Sequence, residues 1–347
     1  MFDWLATVWT AAARFIAVYG VTPVLAFVHL DRAGDDALEI AQYLLICVVQ
    51  IAVIALVFRP LESLVPVERW ADRRLTRIDR AYTFLKLFGL IPLFAYVFLP
   101  LLGTAVGMLT GTPRMEGGVS PLQLDVRVPW FRSHPVALFV AYFTISDFVY
   151  YLVHRLQHAL PWWWALHSLH HSQRQLSCWS NDRDSIPDDF LEATIIAGVA
   201  QLIGVAPVQY ALLILLGELL QNFSHANVRL RFGRVIDKLL VDPPYHRLHH
   251  MVGDPARPGL QNCNFSFVFP VWDIVFGTAL YGEPARPCGV ADAGIDADNE
   301  LGLVAQQGAA LRRFLNAIGM RASRDVAAPP VTRHSGEGRN PVFNELP

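Results

Sequence analysis

The sequence predicts an all-α fold: an integral membrane helical bundle with a histidine-rich cap on the cytoplasmic side that holds a dimetal site. Three observations predict it. Of 347 residues, 53% are hydrophobic and 17% charged, with a mean hydropathy of +0.34, which is too apolar for an ordinary soluble globule. The apolar residues are gathered into stretches of the length that a helix needs to cross a bilayer, about 20 residues. Most of the 12 histidines lie between positions 154 and 250, in tight clusters with helical spacing.

Taken in order, apolar stretches run at 8–30, 38–58, 84–110 and 136–153, each of spanning length or nearly so. Two shorter stretches, 190–205 and 207–223, are separated by Pro207 and read as a re-entrant or tightly paired hairpin. The first stretch reads as retained, because Asp3 precedes it, its start lacks a basic region and no small-residue cleavage site follows. Arg59, Arg69, Arg73, Arg74, Arg77 and Arg80, with Lys86 just beyond, mark a cytoplasmic loop. Counting crossings from that loop puts 111–135 outside and returns the chain to the cytoplasm at His154. The chain thus divides into a membrane part with its arginine-rich loop (1–135), a histidine-bearing domain (136–281) and a polar extension (282–347). The extension holds one amphipathic helix over 299–318, with Leu301, Val304, Leu311, Phe314 and Leu315 toward one side. The tail beyond it, with Pro329, Pro330 and a polar run from Ser335, is predicted to be disordered.

Composition narrows the setting. Cys47, Cys178, Cys263 and Cys288 show no CxxC spacing and fit a reducing compartment. A net charge of -2 and a basic run explained by topology speak against a nucleic-acid partner. Lys86 and Lys238 are the only lysines among 28 basic residues, a bias of GC-rich bacterial coding that points to the bacterial cytoplasmic membrane.

The clusters are His154-Arg-Leu-Gln-His158, His167-Ser-Leu-His-His171 and His246-Arg-Leu-His-His250, with His225 between the last two. Residues at i, i+3 and i+4 share a helix face, so each cluster is a chelating face. A lone helical histidine is more often solvated or capping, but three clusters with one spacing are not explained that way. Imidazole is the commonest metal-ligating side chain, and a single zinc takes about four ligands. Nine histidines therefore imply two metals. Asp147 lies seven residues before His154 and Glu218 seven before His225. Each acid shares a stripe with its histidine, as a carboxylate would that accepts the ring's other N–H. An interfacial charge that snorkels to water is the competing reading.

These residues amount to a resemblance. The run Asp147 to His158, HSLHHS from His167, Asn222-Phe-Ser-His-Ala-Asn227, HRLHH from His246 and Trp272-Asp-Ile-Val-Phe-Gly-Thr278 together resemble the fatty acid hydroxylase superfamily, also called the sterol desaturase family, over about 136–281. The resemblance implies a membrane bundle with a cytoplasmic cap, two iron ions (zinc can replace them on overexpression), O2 as co-substrate, and hydroxylation or desaturation of a lipid. By the same resemblance the metal ligands, and through the metals the catalytic residues, are His154, His158, His167, His170, His171, His225, His246, His249 and His250. Asp147, Glu218, Asn227, Asn262 and Asp273 are the supporting groups behind them. Where relatives carry an Arg-x-His-Pro element, this chain has Arg183-Asp-Ser-Ile-Pro187, without histidine. Asp182, Asp184 or Asp188 can substitute chemically, although an acidic stretch of this kind reads more simply as an exposed loop.

Trp162, Trp163 and Trp164 read either as the lining of a lipid path or as an interfacial belt. No ferredoxin cysteine spacing, cytochrome b5-like segment or dinucleotide motif is present, so electrons are expected from an external donor, a ferredoxin, a cytochrome b5-like protein or a reductase. The alternatives are a membrane zinc-dependent hydrolase, with Asp184 or Asp242 as base, and a metal transporter. A hydrolase needs three protein ligands and an open position, and a transport site sits on broken helices near the midplane. Neither calls for nine histidines at helix ends.

Overall fold

The computed structural model describes all residues except 1–2, 28, 30–36, 95–97, 112–119, 121, 258 and 320–347. The expected disordered tail, and most of the 111–135 segment's first half, lie outside the described residues. The described chain is helical, with two isolated β-bridges, Met251 with Cys288 and Asp254 with Arg257. It separates into two compact units, residues 1–57 and 58–347.

In the first unit α1 (Asp3–Ile16), a π-turn (Ala17–Val21) and α2 (Thr22–Phe27) form one rod, and α3 (Ala37–Val53) packs beside it. Pro23 brings no N–H to the ladder, and at the end of the π-turn the Ala17 carbonyl accepts both the Thr22 amide and, at 2.8 Å, the Thr22 hydroxyl. Small residues, Ala13, Ala17, Ala37 and Ala41, make the buried contact, as expected where helices associate in lipid. Phe15, Val18, Tyr19, Val24 and Phe27 face outward.

Among the described residues three helices are long and apolar enough to cross a membrane: Thr7–Phe27, Ala37–Leu64 and Pro135–Ala159. The expected third crossing at 84–110 runs through residues 95–97, which lie outside the described residues. After α4 (Arg59–Leu64), α5 (Leu75–Leu85) runs through a π-turn (Lys86–Leu90) into α6 (Ile91–Leu93), and α7 (Leu99–Thr110) follows. Lys86 lies inside the protein among Asp182, Asp189 and Glu218.

The second unit is arranged about α9 (Pro135–Ala159), reached through the short α8 (Leu124–Arg127). At about 1.5 Å per residue, 25 residues measure about 37 Å, so α9 can cross a core of about 30 Å and carry its last turn beyond it. Around it stand α10 (Pro161–His171), α11 (Ile186–Ile203), α12 (Pro207–Ser224) and α13 (Pro243–His249). All five have proline in the first turn, where no donor is lost and φ is already helical. The two shorter apolar stretches are α11 and α12, joined by 204–206 and meeting α9 in the cluster of Leu138, Tyr142, Ala200, Ile203, Val205 and Leu213. Gly204 is required at that joint: its φ is +82°, and a Cβ would fall 2.7 Å from the Gln123 side chain.

α14 (Val271–Phe276) and α15 (Ala293–Asp296) lead to α16 (Leu303–Gly319), which packs on α10. The face buried there differs from the expected one. Gln306, Ala309 and Ala310 are buried, whereas Val304, Leu311 and Leu315 are exposed. Alanines let the two helices approach closely, which a stripe of leucines would prevent.

Candidate metal centre

The nine histidines converge from separate elements. His154 and His158 stand on the last turns of α9; His167, His170 and His171 on the second half of α10; His225 caps α12; His246, His249 and His250 belong to α13 and its end. Every one is buried. They form two groups, His154, His158, His167, His171 and His249 in one, and His170, His225, His246 and His250 in the other, with candidate ligand atoms within 4.8 Å of one another in each. Helical geometry explains the partition. Each i, i+4 pair (154/158, 167/171, 246/250) stays within a group, while the histidine at i+3 of each HxxHH, His170 or His249, crosses to the other. The His171 and His250 rings stack at 4.4 Å where the groups meet.

Ring polarity tests whether these residues fit metal ions. His154 Nδ1 lies 2.8 Å from the Phe265 carbonyl, His249 Nδ1 2.7 Å from that of Cys263, and His225 Nδ1 2.8 Å from that of Gln221. A carbonyl only accepts, so these nitrogens carry the proton and each Nε2 is a bare lone pair. His167 Nδ1 lies 2.9 Å from Asp188, with the same consequence, while His170 Nδ1 comes within 3.2 Å of Asp184 without a hydrogen bond. The bare Nε2 of His225 faces the Nε2 atoms of His170 and His246, each at 3.1 Å. His167 Nε2 and His249 Nε2 are buried without any hydrogen-bond partner. The donor set therefore fits two metal ions.

Burial favours the ligating state. Desolvation pushes the pKa of His170 down to about 4 and those of His167, His171, His225, His246, His249 and His250 well below the usual value, so the rings are neutral. Neutral imidazoles bring no countercharge, and the carboxylates of Asp184 and Asp188 stand behind two of them. Burial raises both acids, Asp188 to about 6 against hydrogen bonds from Gln157 and Trp163.

The expected supporting groups are all present, but two have other partners than expected. Asp147 does not meet His154: it accepts from the Val268 and Phe269 amides at 2.8 and 3.2 Å and from Trp272 Nε1 at 2.8 Å. Glu218 does not meet His225; it accepts from Asn181 at 2.8 Å and pairs with Lys86 at 3.3 Å. Asp273 accepts from the amides of Phe265 and Ser266, from Thr278 and from Tyr245. Asp147 and Asp273 thus hold the segment 265–269, which supplies the carbonyl for His154. Asn227 bridges to the Glu68 backbone at 3.0 and 2.7 Å, and Asn262 is fully buried beside His158.

The stretch 182–189 corrects the expectation of an exposed loop. Asp182, Arg183 and Asp188 are buried, and Asp188 also accepts from Gln157 at 2.9 Å and Trp163 at 2.7 Å. Arg183 lies 3.4 Å from Asp79. Trp163 and Trp164 are buried too, with Trp164 packed on His158 at 5.0 Å, so these two do not form an exposed belt. A cleft reaches the rings between Lys86, Tyr150, Asp184, Glu192 and Gln221.

Comparison with known proteins places this geometry. The fatty acid hydroxylase family model matches residues 139–278. The chain is 30% identical to the alkylglycerol monooxygenase of Danio rerio over 132 residues, 38% of this chain and 28% of that protein. It is 28% identical to the Homo sapiens alkylglycerol monooxygenase over 151 residues, 44% of this chain and 32% of that protein. It is 30% identical to the ornithine lipid hydroxylase OlsE of Rhizobium tropici over 179 residues, 51% of each chain. The chain thus spans about half, or less, of the length of these relatives. No solved structure matches it.

Proposed function

We propose that this chain, which belongs to the fatty acid hydroxylase family through residues 139–278, is a membrane-bound, O2-dependent diiron oxygenase that hydroxylates or desaturates a lipid. The observation that carries the reading is the pair of adjoining histidine groups whose rings are fixed with their bare nitrogens inward. The relatives support the lipid as substrate class, since their names give an alkylglycerol monooxygenase and an ornithine lipid hydroxylase.

In this reading His154, His158, His167, His171 and His249 hold one iron, and His170, His225, His246 and His250 the other. The metal pair, when bound, supplies the activation of dioxygen and the removal of hydrogen from an unactivated C–H bond, which no side-chain acid or base achieves. The chain's own residues do the rest. The Phe265, Cys263 and Gln221 carbonyls fix three rings and Asp188 a fourth; Asp188 and Asp184 offset metal charge. Asp147 and Asp273 keep the 265–269 backbone in place. The buried ring set excludes bulk water from the reacting centre. Residues 136–281 form the catalytic part, 1–135 the membrane part and 282–347 an extension. Electrons come from a separate donor, and the histidines face the cytoplasm.

Expression in a bacterial host, followed by mass spectrometry of its membrane lipids, tests the activity. A species heavier by one oxygen or lighter by two hydrogens, absent with a His249→Ala variant, is expected. An unchanged lipid profile from iron-loaded protein with an active electron donor would overturn it.

A further inference from the structure

We propose that residues 229–239 form a lip that docks on anionic phospholipid headgroups at the bilayer surface. The segment is a loop between two buried anchors, Val228 and Val241, and it links the ligand-bearing end of α12 to α13. Its composition is basic and apolar together. Arg229, Arg231 and Arg234 are exposed, and so are Leu230, Val235, Ile236 and Leu239, with Val235 at 73% and Leu239 at 60%. Among the described residues none of these arginines has an ion-pair partner. The arginines of the 59–80 loop differ: Arg73, Arg74 and Arg77 face Glu62, Glu300 and Asp72.

The height of the lip is set by its neighbours. The Arg229 amide donates to the Val65 carbonyl at 3.0 Å, and Val65 directly follows the spanning helix Ala37–Leu64. That helix has 28 residues, about 42 Å at 1.5 Å each, so its end stands in the headgroup layer above a core of about 30 Å. Phe232 stacks on Phe223 at 6.0 Å, which meets Phe58 of the same helix at 5.4 Å. Exposed arginines interleaved with large apolar side chains at that level suit lipid phosphates with the aliphatic groups inserted below them. The one acid of the segment, Asp237, is only partly exposed, and its carbonyl accepts from Tyr281. This inference rests on the membrane spans and not on the oxygenase reading.

The test uses the full chain with Val235→Cys, labelled with a polarity-sensitive dye; the native cysteines are all buried. It is reconstituted in vesicles of phosphatidylcholine alone or mixed equally with phosphatidylglycerol. Blue-shifted emission, quenched by spin-labelled lipid, is expected in the mixed vesicles only. Replacing Arg229, Arg231 and Arg234 with Gln should weaken this docking roughly a hundredfold, at about fivefold per basic residue. Water-like emission with equal iodide quenching in both vesicles would overturn the proposal and leave the patch to a soluble partner. Lipid contact equally strong in phosphatidylcholine alone would also overturn it, since phosphate charge would then not be recognised. The two-vesicle comparison uses one protein, so a folding defect in the glutamine variant does not decide the result.

Discussion

His154 Nδ1 donates to the carbonyl oxygen of Phe265 at 2.8 Å, and the backbone that carries this carbonyl is clamped by two buried carboxylates, Asp147 and Asp273. Ring orientation therefore depends on acids that never touch the ring. Asp147→Asn replaces an oxygen that accepts with a donor, leaving at least one buried amide without a partner. The expected cost is about 1–3 kcal/mol, read as a lower thermal midpoint in detergent. A midpoint equal to that of the parent would show that the segment is held without Asp147.

Asp188 and Asp184 act directly on rings, so their removal should appear in the metal rather than in the fold. Asp188→Asn still accepts one hydrogen bond but brings no charge, and metal affinity should fall about 10- to 100-fold. Competition with a chelator at constant pH measures it. Unchanged affinity for both Asp188→Asn and Asp184→Asn would remove these acids from the site.

Lys86 lies within 3.3 to 3.6 Å of Asp182, Asp189 and Glu218, joining the π-turn to the 180–182 turn, α11 and α12. Lys86→Met strands buried carboxylates without their cation, a loss of about 3–5 kcal/mol. Lys86→Arg should recover most of it. Denaturation midpoints of the two variants compare them, and equal midpoints would contradict a charge-based role.

The metal-free protein should lose stability in acid for a stated reason. The folded pKa of His170 is depressed to about 4 by desolvation, below its usual 6.5. Between those values the unfolded chain binds the proton and the folded one does not, so the stability present above 6.5 falls as pH drops toward 4. The slope is about 1.4 kcal/mol per pH unit for each such ring that titrates. Asp188, raised to about 6, works in the opposite direction over the same window, so the rings are followed directly: histidine resonances of the chelator-treated folded protein that titrate at their usual value would contradict it.

The histidines were legible because a helix places i, i+3 and i+4 on one face whatever surrounds it, and all nine come together. Their division into two groups follows from the same geometry only once α10 and α13 are set facing each other, which no local pattern specifies. The seven-residue spacing put Asp147 and His154 on one stripe correctly, but a shared stripe does not name a partner, and the acid turned to the Val268 and Phe269 amides instead. Asp184 and Asp188 were hidden by composition: acids between two turns resemble a solvated loop, and their burial depends on α10 and on Lys86, distant in sequence. On α16 the apolar stripe was visible, but the packed face is the one with alanines.

Metal stoichiometry on detergent-purified protein, grown in iron-rich medium and prepared without oxygen, tests the central claim most directly. The account predicts two iron atoms per chain. Removing one donor from each group in a His170→Ala, His249→Ala variant should empty both positions while the chain stays helical. A single metal per chain in folded protein, or two metals retained at full affinity in that variant, would contradict the paired centre.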